Sequence, residues 1–352
     1  MTTTKTYRCL MIGAGRIAAA WMNQFLPPFA DRLQVVALVD RDEAALAQGG
    51  DLLGLPPNRR FTEMAPAFAG VDADCCIILV TPNAHEEAVL GAVGRGLPIL
   101  SEKPIADTWE GCRRIYDAVT DAGVPMQVIQ NYRYTPALLT MKQVLHEGSL
   151  GRVNYVVTRF ADDYRELNSW GAPFRHQIPH SLLVEGAVHH FDSIRLLSDG
   201  DCATISGWEW NPAWSSSQGE FCNLFQMRMA NDTHATYEGN GTAAGRQNGW
   251  HREAYRVECE DGAVAVGRDL VVRTYQHRRD GSLAIHEVPS ITPEHQGHRW
   301  LVNEFLDWRD GGPTPATELH DNIKSVAMVF GAIEASRTGQ TVDVAAMIAA
   351  LG

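Results

Sequence analysis

The chain has no apolar stretch approaching the roughly 20 residues that a membrane-spanning helix needs, and it has no sustained run of Lys or Arg. The first absence sets aside a spanning helix. Met1-Thr2-Thr3-Thr4-Lys5 also leads straight into an apolar run without a signal-peptide core, so a cytoplasmic location is expected. The second absence, with a formal net charge of −12, argues against nucleic acid or an anionic membrane as a partner. The densest basic stretch, His277-Arg278-Arg279, runs into Asp280-Gly281, which reads as a solvated hairpin turn. Cysteine is sparse: seven residues, with no C-x-x-C pair. Cys75-Cys76 lie inside an apolar run, where thiols serve as small buried hydrophobes, so reduced structural cysteines are expected. Asn231-Asp232-Thr233 and Asn240-Gly241-Thr242 match glycosylation acceptors, a match without meaning in a protein that is not secreted. Internal repeats, low-complexity segments and flexible linkers are also absent, so the domains should pack on each other rather than swing freely.

What is present is a chain of 352 residues, long enough for two domains at roughly 100–200 residues each. Apolar runs at 7–12, 35–39, 75–80, 98–100 and 126–129 alternate with helical patterns. Continuous apolar runs mark strands buried on both faces, and their alternation with helices implies a parallel sheet. Residues 1–130 therefore read as a Rossmann-type, doubly wound α/β domain. The rhythm then changes. A helix is predicted over 136–146, a strand over 153–160, a polar and aromatic loop to 179, and a helix over 181–197. Short segments at 221–229, 233–237, 255–259, 264–266, 270–275 and 283–288 argue for a mostly antiparallel sheet. Closing helices at 298–308 and 319–337 complete an α+β domain over 131–352 and are expected to pack back toward the first domain.

Gly13-Ala14-Gly15-Arg16-Ile17-Ala18 follows the first strand and opens a helix, the context in which a G-x-G-x-x-G/A match has meaning. Gly13 permits the tight turn, Gly15 lets the backbone approach a pyrophosphate, and Ala18 is the small residue where helix meets strand. Asp40 ends the second strand, about twenty residues on, where a carboxylate bonds the ribose hydroxyls and repels a 2′-phosphate. NAD is therefore expected. Arg41 beside it is a group that pairs with such a phosphate, so NADP use stays open. Thr81-Pro82-Asn83 follows the 75–80 strand and is expected at the same crevice. Glu102-Lys103-Pro104 stands just past another strand end, where ligands of such sheets bind.

The ordered set Gly13-Ala14-Gly15-Arg16-Ile17, Thr81-Pro82-Asn83-Ala84-His85, Glu102-Lys103-Pro104, Asn131-Tyr132-Arg133-Tyr134, Gly148-Ser149-Leu150-Gly151 and His189-His190-Phe191-Asp192 resembles the Gfo/Idh/MocA family, the glucose-fructose oxidoreductase and inositol dehydrogenase group. The resemblance covers nearly the whole chain. It implies a Rossmann domain followed by a domain with a large open sheet that often builds homodimers or homotetramers. It also implies hydride transfer between NAD and a hydroxyl or keto carbon of a sugar, sugar derivative or cyclitol. His85, Glu102 and Asn131 join the implied cofactor contacts, and a cis Lys103-Pro104 peptide is implied. Where relatives carry an aspartate four residues before the histidine and a glycine two before it, this chain has Glu185 and Ala187. The glycines that usually precede that motif are replaced by Ser181-Leu182-Leu183-Val184.

In that chemistry a neutral histidine near pH 7 takes the hydroxyl proton. His189 is the candidate, with Glu185 and Asp192 at helical spacing on its face; spacing alone fits a structural histidine as readily as a catalytic one. Lys103 would hold the reacting oxygen and stabilise alkoxide charge. Arg133, Arg165, Trp170, Arg175, His176 and His180 make a polar and aromatic set suited to hydroxyls or an anionic group. Trp208, Trp210, Trp214 and Trp250 offer faces for sugar rings, although each alone reads more readily as core or subunit interface. His176, His180, Glu185 and His189 would suffice for a metal site, but no tight ligand motif accompanies them and no metal is expected. Two rival readings remain open: glycoside cleavage through transient oxidation with recycled NAD, and a non-catalytic NAD or sugar sensor.

Overall fold

A computed structural model describes residues 5–351. Residues 1–4, to which the expectation about a signal peptide applies, lie outside them. No helix among the described residues is long and apolar enough to cross a membrane. The chain divides into two compact units. One runs through Gln130 and also takes in Gly297–Ile323; the other comprises Asn131–Gln296 and Lys324–Ala350.

The apolar runs of the first unit form β1 (Tyr7–Ile12), β2 (Leu33–Val39), β3 (Arg60–Phe61), β4 (Cys75–Ile78), β5 (Ile99–Ser101) and β6 (Met126–Val128), with α1 (Arg16–Ala20), α2 (Glu43–Leu52), α3 (Met64–Gly70), α4 (His85–Val93) and α5 (Trp109–Ala122) between them. The sheet order is β3-β2-β1-β4-β5-β6, and every pair is parallel. All of β4 is buried, which is why it reads as an unbroken apolar run. The chain leaves β1 toward one edge and returns to β4 on its other side, so the switch point lies between β1 and β4, where such sheets take ligands. Two features depart from the sequence reading. β3 is a two-residue edge strand with no apolar run to announce it. Helix α1 makes little more than one α turn before Trp21–Phe25 winds as a π-helix.

Helix α8 (His298–Arg309) belongs to this unit and buries Leu301, Val302, Phe305 and Leu306 on one face. Polar bonds anchor its other flank. Arg32 pairs with Asp310 at 2.7 Å and Asp307 at 2.9 Å, and Gln127 donates to Glu304 at 2.8 Å.

The second unit contains α6 (Pro136–His146), β7 (Val153–Ala161), α7 (Val188–Ser198), β8 (Cys202–Trp210), β9 (Cys222–Met229), β10 (His234–Asn240), β11 (Ala254–Cys259), β12 (Gly262–Val266), β13 (Arg273–His277) and β14 (Leu283–Glu287). After most of α9 (Leu319–Thr338) come β15 (Val342–Asp343) and α10 (Val344–Ala349). The nine strands lie in the order β14-β13-β12-β11-β7-β10-β9-β8-β15. Only the β7–β10 pair is parallel, so the mostly antiparallel sheet is present as expected. Strict alternation assigns its faces. Phe225, Met227, Met229, Ala235 and Tyr237 point inward, whereas Leu224, Gln226 and Arg228 point outward. Phe191 of α7 meets Phe225 and Tyr237 edge-on at 6.4 and 5.1 Å, and each such buried side chain contributes about 1.5–3 kcal/mol.

At the expected turn, Arg278 donates to Ser282 and Gly281 takes φ +82°, closing the β13–β14 hairpin. The helix predicted over 181–197 is not uniform: Leu182–Ala187 winds as a π-helix and only Val188–Ser198 is α. All seven cysteines are free thiols and six are buried; burial pushes the Cys76 thiol well above its ordinary range.

Candidate active site

In the first unit the glycine turn sits directly after β1. Gly13 donates to Val39 at 2.7 Å and has φ +106°, and a Cβ there would stand 2.6 Å from the Leu79 carbonyl oxygen. Both backbone and space demand glycine at this position. Beside Gly15 a Cβ would meet nothing within 4 Å, which leaves the backbone open to an approaching pyrophosphate at the start of α1. The turn thus fits a dinucleotide. Asp40 stiffens it: one carboxylate oxygen accepts from Ala14 N at 2.6 Å and the other from Asp42 N at 2.8 Å. Each oxygen retains a lone pair for a ribose hydroxyl. Arg16, Ile17 and Arg41 are exposed.

The loops after β4 and β5 follow on the same sheet edge of the first unit. Thr81 donates to Asn83 at 2.7 Å, Pro82 opens a short 3-10 turn, and the wholly buried His85 ring bonds the Val80 carbonyl at 3.1 Å. His85 therefore shapes the loop. Glu102 is buried; it accepts from Trp21 at 3.3 Å and from the Lys103 backbone N at 3.3 Å, with the His298 ring 3.8 Å away. The Lys103-Pro104 peptide is cis, as the resemblance implies. Trp21 and His298 were not legible as parts of this site, since only the π turn and α8 bring them to Glu102. His298 is itself stacked on Phe25 at 4.3 Å.

In the second unit His189 occupies the first turn of α7 and is buried. Tyr132 stacks on it at 4.4 Å with planes 10° apart, and Trp250 meets it edge-on at 6.0 Å. The Tyr132 hydroxyl donates to Glu253 at 3.0 Å, and Glu253 also accepts from His251 N at 3.0 Å and faces His190 Nε2 at 3.4 Å. Burial beside this carboxylate pushes the Tyr132 hydroxyl well above its usual range, so Tyr132 stays a neutral donor. Glu253 and His251 carry no sequence signal. Their roles arise from the chain returning to α7 before β11.

The other expected residues divide. Glu185 is buried and pairs with Arg175 at 2.9 Å, and Arg175 lies over the Trp170 ring at 5.4 Å; these three are together. Trp170 packs with Phe160, Leu182 and Phe221 in the core, so it supports Arg175 from below. Arg133 holds Asp192 in a bidentate pair, both bonds 2.7 Å. Asp192 is thus held by Arg133 and Glu185 by Arg175. Asn131 is buried in the same 3-10 turn as Tyr132 and Arg133. Arg165 pairs with Asp163 at 2.8 Å. His176 bonds the Tyr164 carbonyl at 2.9 Å, and His180 bonds Glu209. The quartet His176, His180, Glu185 and His189 is not assembled as one ligand set, because each has separate partners.

Residues 7–130 match the Gfo/Idh/MocA oxidoreductase family with an NAD-binding Rossmann fold, and residues 138–265 match the C-terminal domain of that family. The chain is 41% identical over 352 residues to the uncharacterized protein y4oX of Sinorhizobium fredii, covering 96% of each. It is 24% identical to a D-apiose dehydrogenase of Paraburkholderia graminis, over 97% of this chain and 91% of that one. An oxidoreductase of Agrobacterium radiobacter, solved with NAD+, L-tartaric acid and magnesium, shares the fold at a TM-score of 0.84 and 21% identity, over 97% of this chain and 100% of that one. With both family domains in order along one chain, and a glycine turn built for a dinucleotide, this protein belongs to the Gfo/Idh/MocA family of NAD-binding oxidoreductases.

Proposed function

We propose that the protein is an NAD-dependent dehydrogenase or reductase acting on a hydroxyl or keto carbon of a sugar, sugar derivative or cyclitol. The observation that carries this reading is Lys103, which follows β5 on the sheet edge that also bears the Gly13 turn and Asp40, with Glu102 bonded to its backbone. The Gly13 turn and Asp40 would hold NAD, which would supply the acceptor for the hydride of the carbinol carbon. Lys103 Nζ holds the substrate oxygen and stabilises the alkoxide charge that develops as the proton leaves. An imidazole nitrogen of His189 takes that proton, and the stacked Tyr132 and edge-on Trp250 restrict the ring to one plane. Glu185, paired with Arg175, supports the histidine and substrate side. Arg165 and Arg175 are each already paired with a carboxylate, Asp163 and Glu185, so an anionic substrate would have to draw them away from those partners against the acidic chain.

A screen of sugars, sugar acids, cyclitols and glycosides with added NAD, read by NADH absorbance and by mass, tests this reading. A net absorbance rise with one substrate group is the expected result. Aglycone release without net NADH would replace it with redox-assisted glycoside cleavage, and silence in both channels would favour the sensor.

The outer face of the second unit's sheet also fits a homodimer or homotetramer contact. Trp208 is 64% exposed, Trp210 42% and Leu224 47%, neighbouring apolar groups on β8 and β9 of the kind that mark interaction surfaces. Trp208→Glu should shift the mass seen by light scattering to that of a monomer. A wild-type monomer at all concentrations would defeat this assignment.

A further inference from the structure

We propose that His180, Glu209 and Glu220, all in the second unit, form a binding site for one divalent transition-metal ion, so that His180 serves the ion instead of the substrate. His180 stands two residues before the π-helical segment 182–187, Glu209 lies near the end of β8, and Glu220 stands two residues before β9. Their ligand atoms all fall within 4.8 Å of one another. His180 Nδ1 is 2.5 Å from a Glu209 oxygen and 3.5 Å from a Glu220 oxygen. That Glu220 oxygen also accepts from the His180 backbone N at 2.8 Å, which fixes the distance between the histidine and the second carboxylate.

Charge and burial both leave room for a cation. Among the described residues, His180 is the only basic group paired with either carboxylate. The Glu209 side chain is 4% exposed, and its Oε2 is buried without a hydrogen-bond partner. A buried acceptor left in that state costs about 1–3 kcal/mol, and a coordinated ion removes the cost. Once the imidazole has given up the proton that its bond to Glu209 favours, two carboxylates and a neutral imidazole carry a charge of about −2, matching a divalent ion. One imidazole nitrogen with two carboxylate oxygens suits Zn2+ or Mn2+ better than Ca2+ or Mg2+, which prefer all-oxygen sets. His180 and Glu220 are 34% and 33% exposed, so the remaining coordination positions face solvent water.

The ion would clip the loop between β8 and β9 to the start of the helical segment that carries Glu185 and His189. Its role is structural: none of its three ligands is assigned to proton or hydride transfer. Two of them, Glu209 and Glu220, had no signal in the sequence, and His180 joins them instead of Glu185 because Glu185 is occupied by Arg175.

The test uses the full-length protein stripped with a chelator and titrated calorimetrically with Zn2+ and, separately, Mn2+. Thermal unfolding is followed with and without the ion. Binding of one equivalent with a rise in Tm, weakened at least about tenfold in both Glu209→Gln and Glu220→Gln, is the expected result. Glu220 is partly exposed, so its variant decides the matter if Glu209→Gln does not fold. Absence of binding at millimolar ion overturns the proposal, as does one-equivalent binding unchanged in Glu220→Gln. Neither result bears on the dehydrogenase reading, which is measured by NADH formation.

Discussion

Lys103→Ala should lower kcat by about 10²–10³-fold, the loss that follows removal of one donor to a developing oxyanion, while the Kd for NAD stays nearly unchanged. The separation follows from where each function resides. The cofactor turn is built by Gly13, Gly15 and Asp40, and its bonds run from Gly13 to Val39 and from Asp40 to Ala14 and Asp42. Lys103 contributes its backbone N to Glu102, a bond that alanine preserves. Its side chain is only partly buried, so the variant should fold. Calorimetric titration with NAD reports the Kd, and steady-state absorbance reports kcat with the substrate found in the screen. Near-normal turnover would remove Lys103 from the chemistry and with it the site assignment. A large loss of NAD affinity would instead make it a cofactor ligand only.

Asp192→Ala should destabilise the second unit by about 3–5 kcal/mol, because it removes the buried carboxylate that holds a buried arginine through two bonds. Arg133 is 8% exposed and Asp192 fully buried. Their two bonds of 2.7 Å are joined by Ser325, which donates to Asp192 at 2.7 Å and accepts from Arg195 at 2.8 Å. At that cost the Tm should fall by on the order of 10 °C, measurable by circular dichroism. Asp192→Asn, which keeps the shape but not the charge, should fall between. A Tm within about 2 °C of wild type would show the pair to be dispensable, and would return Arg133 to the substrate role its motif suggests.

These two residues illustrate what could be read in advance. Lys103 was legible because its neighbours in sequence are its neighbours in space: a strand ends, a loop of two or three residues follows, and the sheet's carboxyl edge is the place where ligands bind. Arg133 was legible as a motif residue, but its partner lies 59 residues on and Tyr132 finds Glu253 across 121. A pattern reading cannot rank such partners, since any buried carboxylate of the right reach would satisfy the same arginine or tyrosine. Trp170 shows the same limit. Its loop composition suited a ligand, and packing against Phe160, Leu182 and Phe221 placed it in the core.

The sequence by itself determined the parallel sheet, the glycine turn with Asp40, the alternating antiparallel strands and the Asp-Gly hairpin. Each is dictated over a few residues by burial periodicity or by backbone torsion. The tertiary structure alone decided the π winding ahead of His189, the Tyr132 ring against it, the Arg175–Glu185 and Arg133–Asp192 pairs, and the convergence of His180 with Glu209 and Glu220. The physical reason is that a buried charge or ring takes its partner from whichever segment the completed fold brings beside it, and sequence distance does not rank those segments.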